Sequence, residues 1–262
     1  MRDILAMELL KLKGQRILWL SPVCALITVM IGYVEWHGAR NTYGEGVNWD
    51  YLFPMVEQVS TYGLVTVFIS FFSVFIFLNE QNNFCTSEMF MYPHRRFSYL
   101  CAKLCVVFLM CGCTYLIIFL MTFVSGSFIL GGPPYLWLLR HHVKIFVIAM
   151  LLIFSFSPLA ILLGNISRSS ILPLVTIVII LLWNSNLSRI VLQNVDVNVN
   201  LLPWNATNRI IESLQNGLNP AYTLAKIYDY TPYVISLLIT SILPLLILVF
   251  QFILCEGKGI AE

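Results

Sequence analysis

The stretch EQNNFCTSEMFMYPHRRFSYLCAK, Glu80–Lys103, is a long charged segment set between two long hydrophobic runs. Those runs, and others like them, decide the fold. Of 262 residues, 59% are hydrophobic and only 11% are charged, and the mean hydropathy is +0.83. Charged residues make up roughly 25% of a soluble domain. The composition therefore excludes a soluble globular protein and points to a bilayer, where about 20 mostly apolar residues form one spanning helix. Backbone polar groups find no water in the hydrocarbon and must be satisfied within the helix itself.

Six segments meet that requirement: Ile17–Val34, Tyr62–Leu78, Ala102–Leu130, Ile145–Leu163, Ile171–Trp183 and Pro232–Leu254. The fifth is short, and either extends to Leu187 or lies partly in the interface. The length of the runs predicts helices, because a barrel would show alternating segments of roughly ten residues. The fold class expected is an all-α integral membrane protein, one transmembrane domain over residues 1–262.

Orientation follows from the distribution of Lys and Arg. With the N-terminus inside, the inner segments hold Arg2, Lys11, Lys13, Arg16, Arg95, Arg96, Lys103, Arg168 and Lys258. The outer ones hold Arg40, Arg140, Lys144, Arg189, Arg209 and Lys226 over a greater total length. Both termini are thus expected in the cytoplasm. The first run has the length of a span and no A-x-A site follows it, which predicts a retained signal anchor. The net charge of +2 is spread over the flanks with no basic block, giving no indication of a nucleic-acid partner.

Residues 1–15 mix Ile4, Leu5, Met7, Leu9, Leu10 and Leu12 with Arg2, Asp3, Glu8, Lys11 and Lys13, which suits an amphipathic helix on the inner leaflet. The plainer reading is a charged flank that fixes topology. From Glu35 to Thr61 the chain is expected outside, with Trp36, Tyr43, Trp49, Tyr51 and Phe53 as interfacial belt residues. Gly131-Gly132-Pro133-Pro134 breaks the chain outside again, with Tyr135 and Trp137 as similar anchors. In the last outer segment, 184–231, Thr207 predicts the cap of a short helix through Asn216 that ends at Gly217, with Ile210, Ile211 and Leu214 on one face. Asn219-Pro220 predicts a second short helix, apolar through Tyr228. Asn205-Ala206-Thr207 matches a glycosylation sequon, which matters only in a eukaryotic secretory chain.

The seven cysteines, Cys24, Cys85, Cys101, Cys105, Cys111, Cys113 and Cys255, fall in spans or on the inner side. No disulfide framework is expected from that placement, and small apolar packing accounts for them better than a metal pair does. His141 and His142 point about 100° apart on a helix, unlike an i, i+4 ligand pair. Zinc and haem are not expected. The spans read as almost free of ionisable groups, which argues against a proton- or sodium-coupled carrier. H-E-x-x-H, G-x-S-x-G and the phosphate loop G-x-x-x-x-G-K-[ST] are all absent, so enzymatic activity and ATP hydrolysis are not expected in this chain.

The layout as a whole resembles the type-2 ATP-binding-cassette (ABC) permeases: a basic amphipathic N-terminal helix, six spans, an acidic residue closing the second, Pro and Arg ahead of the Lys that opens the third, and short outer helices before the sixth. Within that family it is most similar to the bacterial peptide-antibiotic (lantibiotic and bacitracin) immunity and export permeases. The resemblance implies a cell-membrane exporter subunit without cofactors of its own, paired with a second permease and two ABC ATPase subunits that carry ATP and Mg. It also implies that 80–103 is the coupling loop that rests on the ATPase. Glu80 would close the second span, Thr86, Ser87 and Glu88 would begin the docking segment, and Pro93, Arg95 and Arg96 would shape its exit. Cys85 stands where the family more often has Gly. Two other classes remain open: a membrane scaffold or signalling subunit whose Arg95 and Arg96 merely obey the positive-inside rule, and a membrane-embedded enzyme.

Overall fold

A computed structural model describes residues 2–13, 16–43, 48–82, 93–167, 171–173, 175–176, 203–215 and 231–258. Among them all regular structure is helical. The helices are α1 (Arg2–Leu12), α2 (Leu20–Tyr43, entered through a 3-10 turn at Arg16–Trp19), α3 (Trp49–Tyr62), α4 (Leu64–Asn82), α5 (Pro93–Ile129), α6 (Leu136–Phe154), α7 (Ser157–Ser167), α8 (Pro203–Gln215) and α9 (Thr231–Lys258).

Five helical stretches of the described residues are long and apolar enough to cross a membrane: Ile17–Thr42, Trp49–Leu78, Ser98–Ile129, Leu136–Ser167 and Thr231–Gln251. They contain the first, second and fourth expected spans whole and overlap nearly all of the third and sixth. Most of the expected span Ile171–Trp183 lies outside the described residues; 171–173 and 175–176 are helical, and Thr176 Oγ1 bonds the Leu172 carbonyl at 2.8 Å. The helix expected from Asn219-Pro220 also lies outside them.

The second span departs from expectation. It begins at Trp49, not Tyr62, so most of the stretch expected as an outer loop is helical: α2 runs on to Tyr43 and α3 packs back against it. The apolar positions Leu52, Phe53, Val56 and Val59 recur at helical spacing and are buried, which fixes the face that α3 turns to the bundle. Around the break at Gly63, the hydroxyls of Ser60, Thr61 and Thr66 bond the carbonyls of Glu57, Gln58 and Thr61. Those bonds satisfy backbone acceptors where lipid cannot. A second break separates α6 from α7 just before Pro158, whose ring clashes with a helical carbonyl four residues back.

Two close approaches depend on glycine. A Cβ on Gly126 of α5 would lie 2.4 Å from the Trp49 ring, and one on Gly32 of α2 would lie 2.6 Å from Val56 Cγ2. Small residues at crossings let membrane helices approach, and dispersion between them replaces the hydrophobic drive that lipid does not supply. Trp49 and Phe53, expected at the interface, are therefore core residues, as is Trp36. Tyr135 and Trp137 remain exposed, at 77% and 59%, as belt residues would be.

The helix at α8 starts at Pro203, four residues before the expected cap. Proline suits the first helical position, where its missing N–H has no intrahelical partner to lose. Thr207 is thus an interior residue, 2% exposed, while Ile210 and Ile211 are buried as their spacing predicts. The helix packs on α3, α6 and α9, covering the end of the bundle where α3 and α6 begin.

Candidate functional site

Two regions hold polar groups that apolar packing alone does not explain. The first is the end of the bundle where α4 stops and α5 starts. Glu80 lies in the last turn of α4, and Pro93 is the first residue of α5 with Arg95 and Arg96 in its opening turn. Thr86, Ser87 and Glu88 lie outside the described residues. From Pro93 the helix continues unbroken for 37 residues to Ile129, about 55 Å at 1.5 Å per residue. That is well beyond the roughly 30 Å of a hydrocarbon core, so one rigid element joins Arg95 and Arg96 to the opposite end of the bundle. Helix α1 packs against the same α5, and its Leu5 and Leu12 join the apolar core.

Lys103 sits in this region at 1% exposure. Its ammonium donates to the Ile76 carbonyl of α4 at 2.6 Å and stands over the rings of Tyr99 and Phe77, at 4.7 and 5.2 Å from their centroids. Ring faces attract a desolvated cation through their quadrupole. The lysine thereby ties the end of α4 to the start of α5.

The second region lies at the other end, among α3, α6 and α8. Glu57 and His142 are both fully buried, with Nδ1 of the imidazole 2.7 Å from Oε1 of the carboxylate. Gln215, the last residue of α8, donates from Nε2 to Glu57 Oε2 at 2.7 Å and to the Pro54 carbonyl at 3.4 Å. Its Oε1 accepts from Gln58 Nε2 at 3.1 Å. Both ends of that amide are therefore committed to α3. Next door, His141 Nε2 lies 3.2 Å from the Leu214 carbonyl at the C-terminal end of α8. A donor there meets an acceptor left over by the helix terminus.

An aromatic wall encloses the pair. The Phe53 ring stacks on the His142 ring with centroids 4.7 Å apart, and Trp49 and Phe119 stack on Phe53 at 5.3 and 5.8 Å. Phe146 meets Phe119 edge-on at 5.3 Å. His142 Nε2 and the Tyr115 hydroxyl are buried with no well-formed hydrogen bond among the described residues. Adjacent in sequence, His141 and His142 thus serve different partners, with ring planes 89° apart. Among the described residues no cluster of three His, Cys, Asp or Glu side chains could hold a metal ion.

Glu57 and His142 correct the expectation that the spans are almost free of ionisable groups. Both lie in candidate spans, as does Lys103. The sequence reading had Glu57 in an outer loop and His142 on a flank. The signal that finds Glu57 is the helical stripe of Leu52, Phe53, Val56 and Val59, which carries the residue into the bundle; no local pattern joins it to a histidine 85 positions away.

A protein-family model described as ABC-2 family transporter protein matches residues 4–184 of this chain. The match includes Glu57, Lys103 and His142 and stops short of Gln215. No curated protein and no solved structure matches the chain.

Proposed function

The chain belongs to the ABC-2 family of transporter proteins, and from that premise we propose that it is the membrane-spanning half of an ATP-driven exporter. The observation that carries the reading is the family match over residues 4–184, which takes in every described helix from α2 to α7 and most of α1. A permease of an ABC transporter works with ATPase subunits. Two copies of such an ATPase, holding ATP and Mg, and a second permease, identical or related, would complete the machine.

In this reading 80–103 is the coupling segment. Nucleotide-driven closure of the ATPases can move the spans only if the docking segment binds the two ATPase states with different energy. Glu80, Thr86, Ser87, Glu88, Pro93, Arg95 and Arg96 are the residues assigned to that contact. The unbroken α5 supports the assignment, because force applied at its first turn reaches the far end of the bundle without an intervening hinge. The basic residues at this end, denser than at the other, support a cytoplasmic location for it in a bacterial cell membrane.

The cargo we propose is amphipathic: a membrane-active peptide, an antibiotic of the lantibiotic or bacitracin kind, or a lipid, gathered from the bilayer and exported. The apolar surface of the spans, with Leu238, Ile242 and Leu246 of α9 among its exposed residues, supports a substrate that arrives through lipid.

The test is purification of the tagged chain in mild detergent, identification of co-purifying proteins and an ATPase assay on the eluate. Recovery of a phosphate-loop ATPase whose activity depends on this subunit is expected. Recovery of the chain without one, and no hydrolysis, would favour the scaffold class. Glu88→Ala, or Arg95→Ala with Arg96→Ala, should weaken ATPase association or uncouple hydrolysis from transport; normal assembly and coupled transport in both would remove the coupling assignment. Cells carrying the pair should tolerate membrane-active peptides better than cells that lack it.

A further inference from the structure

We propose that α6 carries a binding site for an anionic phospholipid in the leaflet at the α8 end of the bundle. Arg140 and Lys144 hold the phosphodiester, and the apolar stripe that continues below them holds an acyl chain. The site occupies one helix face. Trp137, Arg140, Lys144, Val147 and Leu151 follow one another at spacings of three and four residues, which places them in a single sector of the helix. All five are exposed, Trp137 at 59%, Val147 at 48% and Leu151 at 49%. The residues that α6 turns to the bundle, Leu138, His142, Ile145, Phe146, Ala149 and Ile153, lie on the opposite side.

The depth of Lys144 points to a ligand. The residue lies about 12 Å along the axis from Leu136, within the candidate span Leu136–Ser167. Charged groups at such a depth nearly always face the bundle interior or pair with one another. Lys144 is on the outward face, and among the described residues neither it nor Arg140 forms an ion pair. Side chains on a helix lean toward its N-terminus, and the lysine stem lies along apolar surface while its ammonium reaches for the polar boundary. Both cations are therefore presented near the first turns of α6, where the exposed Tyr135 and Trp137 mark the headgroup level.

Charge decides the occupant. Two cations one helical turn apart match the two unesterified oxygens of a phosphodiester, and a guanidinium can grip both through parallel N–H bonds. A phospholipid brings that group together with acyl chains, for which Val147 and Leu151 extend the same stripe toward the bilayer centre. A zwitterionic lipid carries the phosphate too, but its ammonium group meets Arg140 and Lys144 with like charge. A second copy of this chain is the wrong partner for this face. A two-fold interface there would set the cations of one copy against those of the other.

Quenching of Trp137 tests the site, in the full chain reconstituted in phosphatidylcholine nanodiscs to which a lipid with brominated acyl chains is added. Bromine quenches indole on contact, and the difference between wild type and Trp137→Phe isolates the emission of this one ring. A basic residue near an anionic surface changes binding about fivefold. Brominated phosphatidylglycerol is therefore expected to half-quench Trp137 at a mole fraction lower than brominated phosphatidylcholine by about fivefold or more. Arg140→Gln with Lys144→Gln should remove that preference, whereas Arg140→Lys with Lys144→Arg, which keeps both charges, should retain it. Should the glutamine pair fail to fold, either single glutamine variant is expected to weaken the preference. Glycerol phosphate, which has the headgroup chemistry without the chains, is not expected to relieve the quenching.

Equal quenching by the two lipids in the wild type, or an undiminished preference in the glutamine variants, would overturn the site. Quenching by neither lipid would mean that protein covers this face, and relief by glycerol phosphate would mean that a soluble anion is bound there; either result overturns the lipid assignment. The inference goes beyond the transport reading, and its readouts involve neither ATPase nor cargo, so their failure leaves that reading standing.

Discussion

The two ends of the bundle are held by different kinds of contact. At the end covered by α8, three helices meet through directional bonds among Glu57, His142, Gln215 and Gln58, inside a wall of stacked rings. At the other end the helices meet mainly through apolar side chains, Phe77, Leu100, Ile161, Leu162 and Leu248, joined by Lys103 and by an Asn165–Gln251 amide contact at 3.0 Å. Directional networks tend to have discrete arrangements, made or broken. Apolar packing between helices tolerates small sliding.

The largest effect expected is from His142→Leu, which leaves the Glu57 carboxylate buried without its partner. Breaking a buried pair in this way costs about 3–5 kcal/mol, read as a fall in the thermal unfolding temperature of the purified protein. The double variant Glu57→Leu with His142→Leu should recover a good part of that loss, since two apolar groups leave no charge behind. A double variant as damaged as the single would mean that shape, and not charge, holds this end. Next in size is Gly126→Ala. Its Cβ would lie 2.4 Å from a Trp49 ring that is anchored through Nε1 to the Gly132 carbonyl at 3.1 Å, and overpacking of this sort costs roughly 1–3 kcal/mol.

The apolar end should yield less. Leu100 is 1% exposed, and Leu→Ala in a soluble core costs about 2–5 kcal/mol. Lipid is as apolar as leucine, so the transfer part of that cost is missing in a membrane and only the cavity and lost dispersion remain. Leu100→Ala is therefore expected to cost about 1–2 kcal/mol. A loss as large as that of His142→Leu would erase the distinction between the two ends.

The sequence made the spans legible because long apolar runs leave the backbone no alternative to a helix: the third, expected at Ala102–Leu130, is found at Ser98–Ile129, and the sixth, expected at Pro232–Leu254, is found at Thr231–Gln251. Residues Trp49–Tyr62 were misread because Pro54, Glu57 and four aromatic residues resemble an outer loop in composition. Helical periodicity was the better guide there: Leu52, Phe53, Val56 and Val59 carry it past a proline and an acid. The partnership of Glu57 with His142 and Gln215 was beyond reach for another reason. It joins three helices far apart in the chain, and no local pattern encodes which of several polar residues will meet when the helices pack. At the other end, Glu80, Pro93, Arg95 and Arg96 are placed at helix ends by the fold, as the apolar runs on either side predict.

The smallest effect expected tests whether directional bonds count for little away from the α8 end. Ser21 Oγ of α2 and Thr114 Oγ1 of α5 lie 2.8 Å apart, and Thr114 also bonds the Met110 carbonyl at 2.9 Å. A hydroxyl has one hydrogen, and Thr114 gives its own to Met110, so Ser21 is the donor between the helices. Ser21→Ala removes that donor and leaves Thr114 satisfied through Met110. Interhelical bonds of this kind in a membrane average about 0.6 kcal/mol, because the separated helices find other partners. A shift in unfolding temperature much smaller than that of Leu100→Ala is expected. One as large as that of Gly126→Ala would show that single hydroxyl bonds hold the α2–α5 contact too, and the contrast would then lie between the buried Glu57–His142 contact and the rest of the molecule.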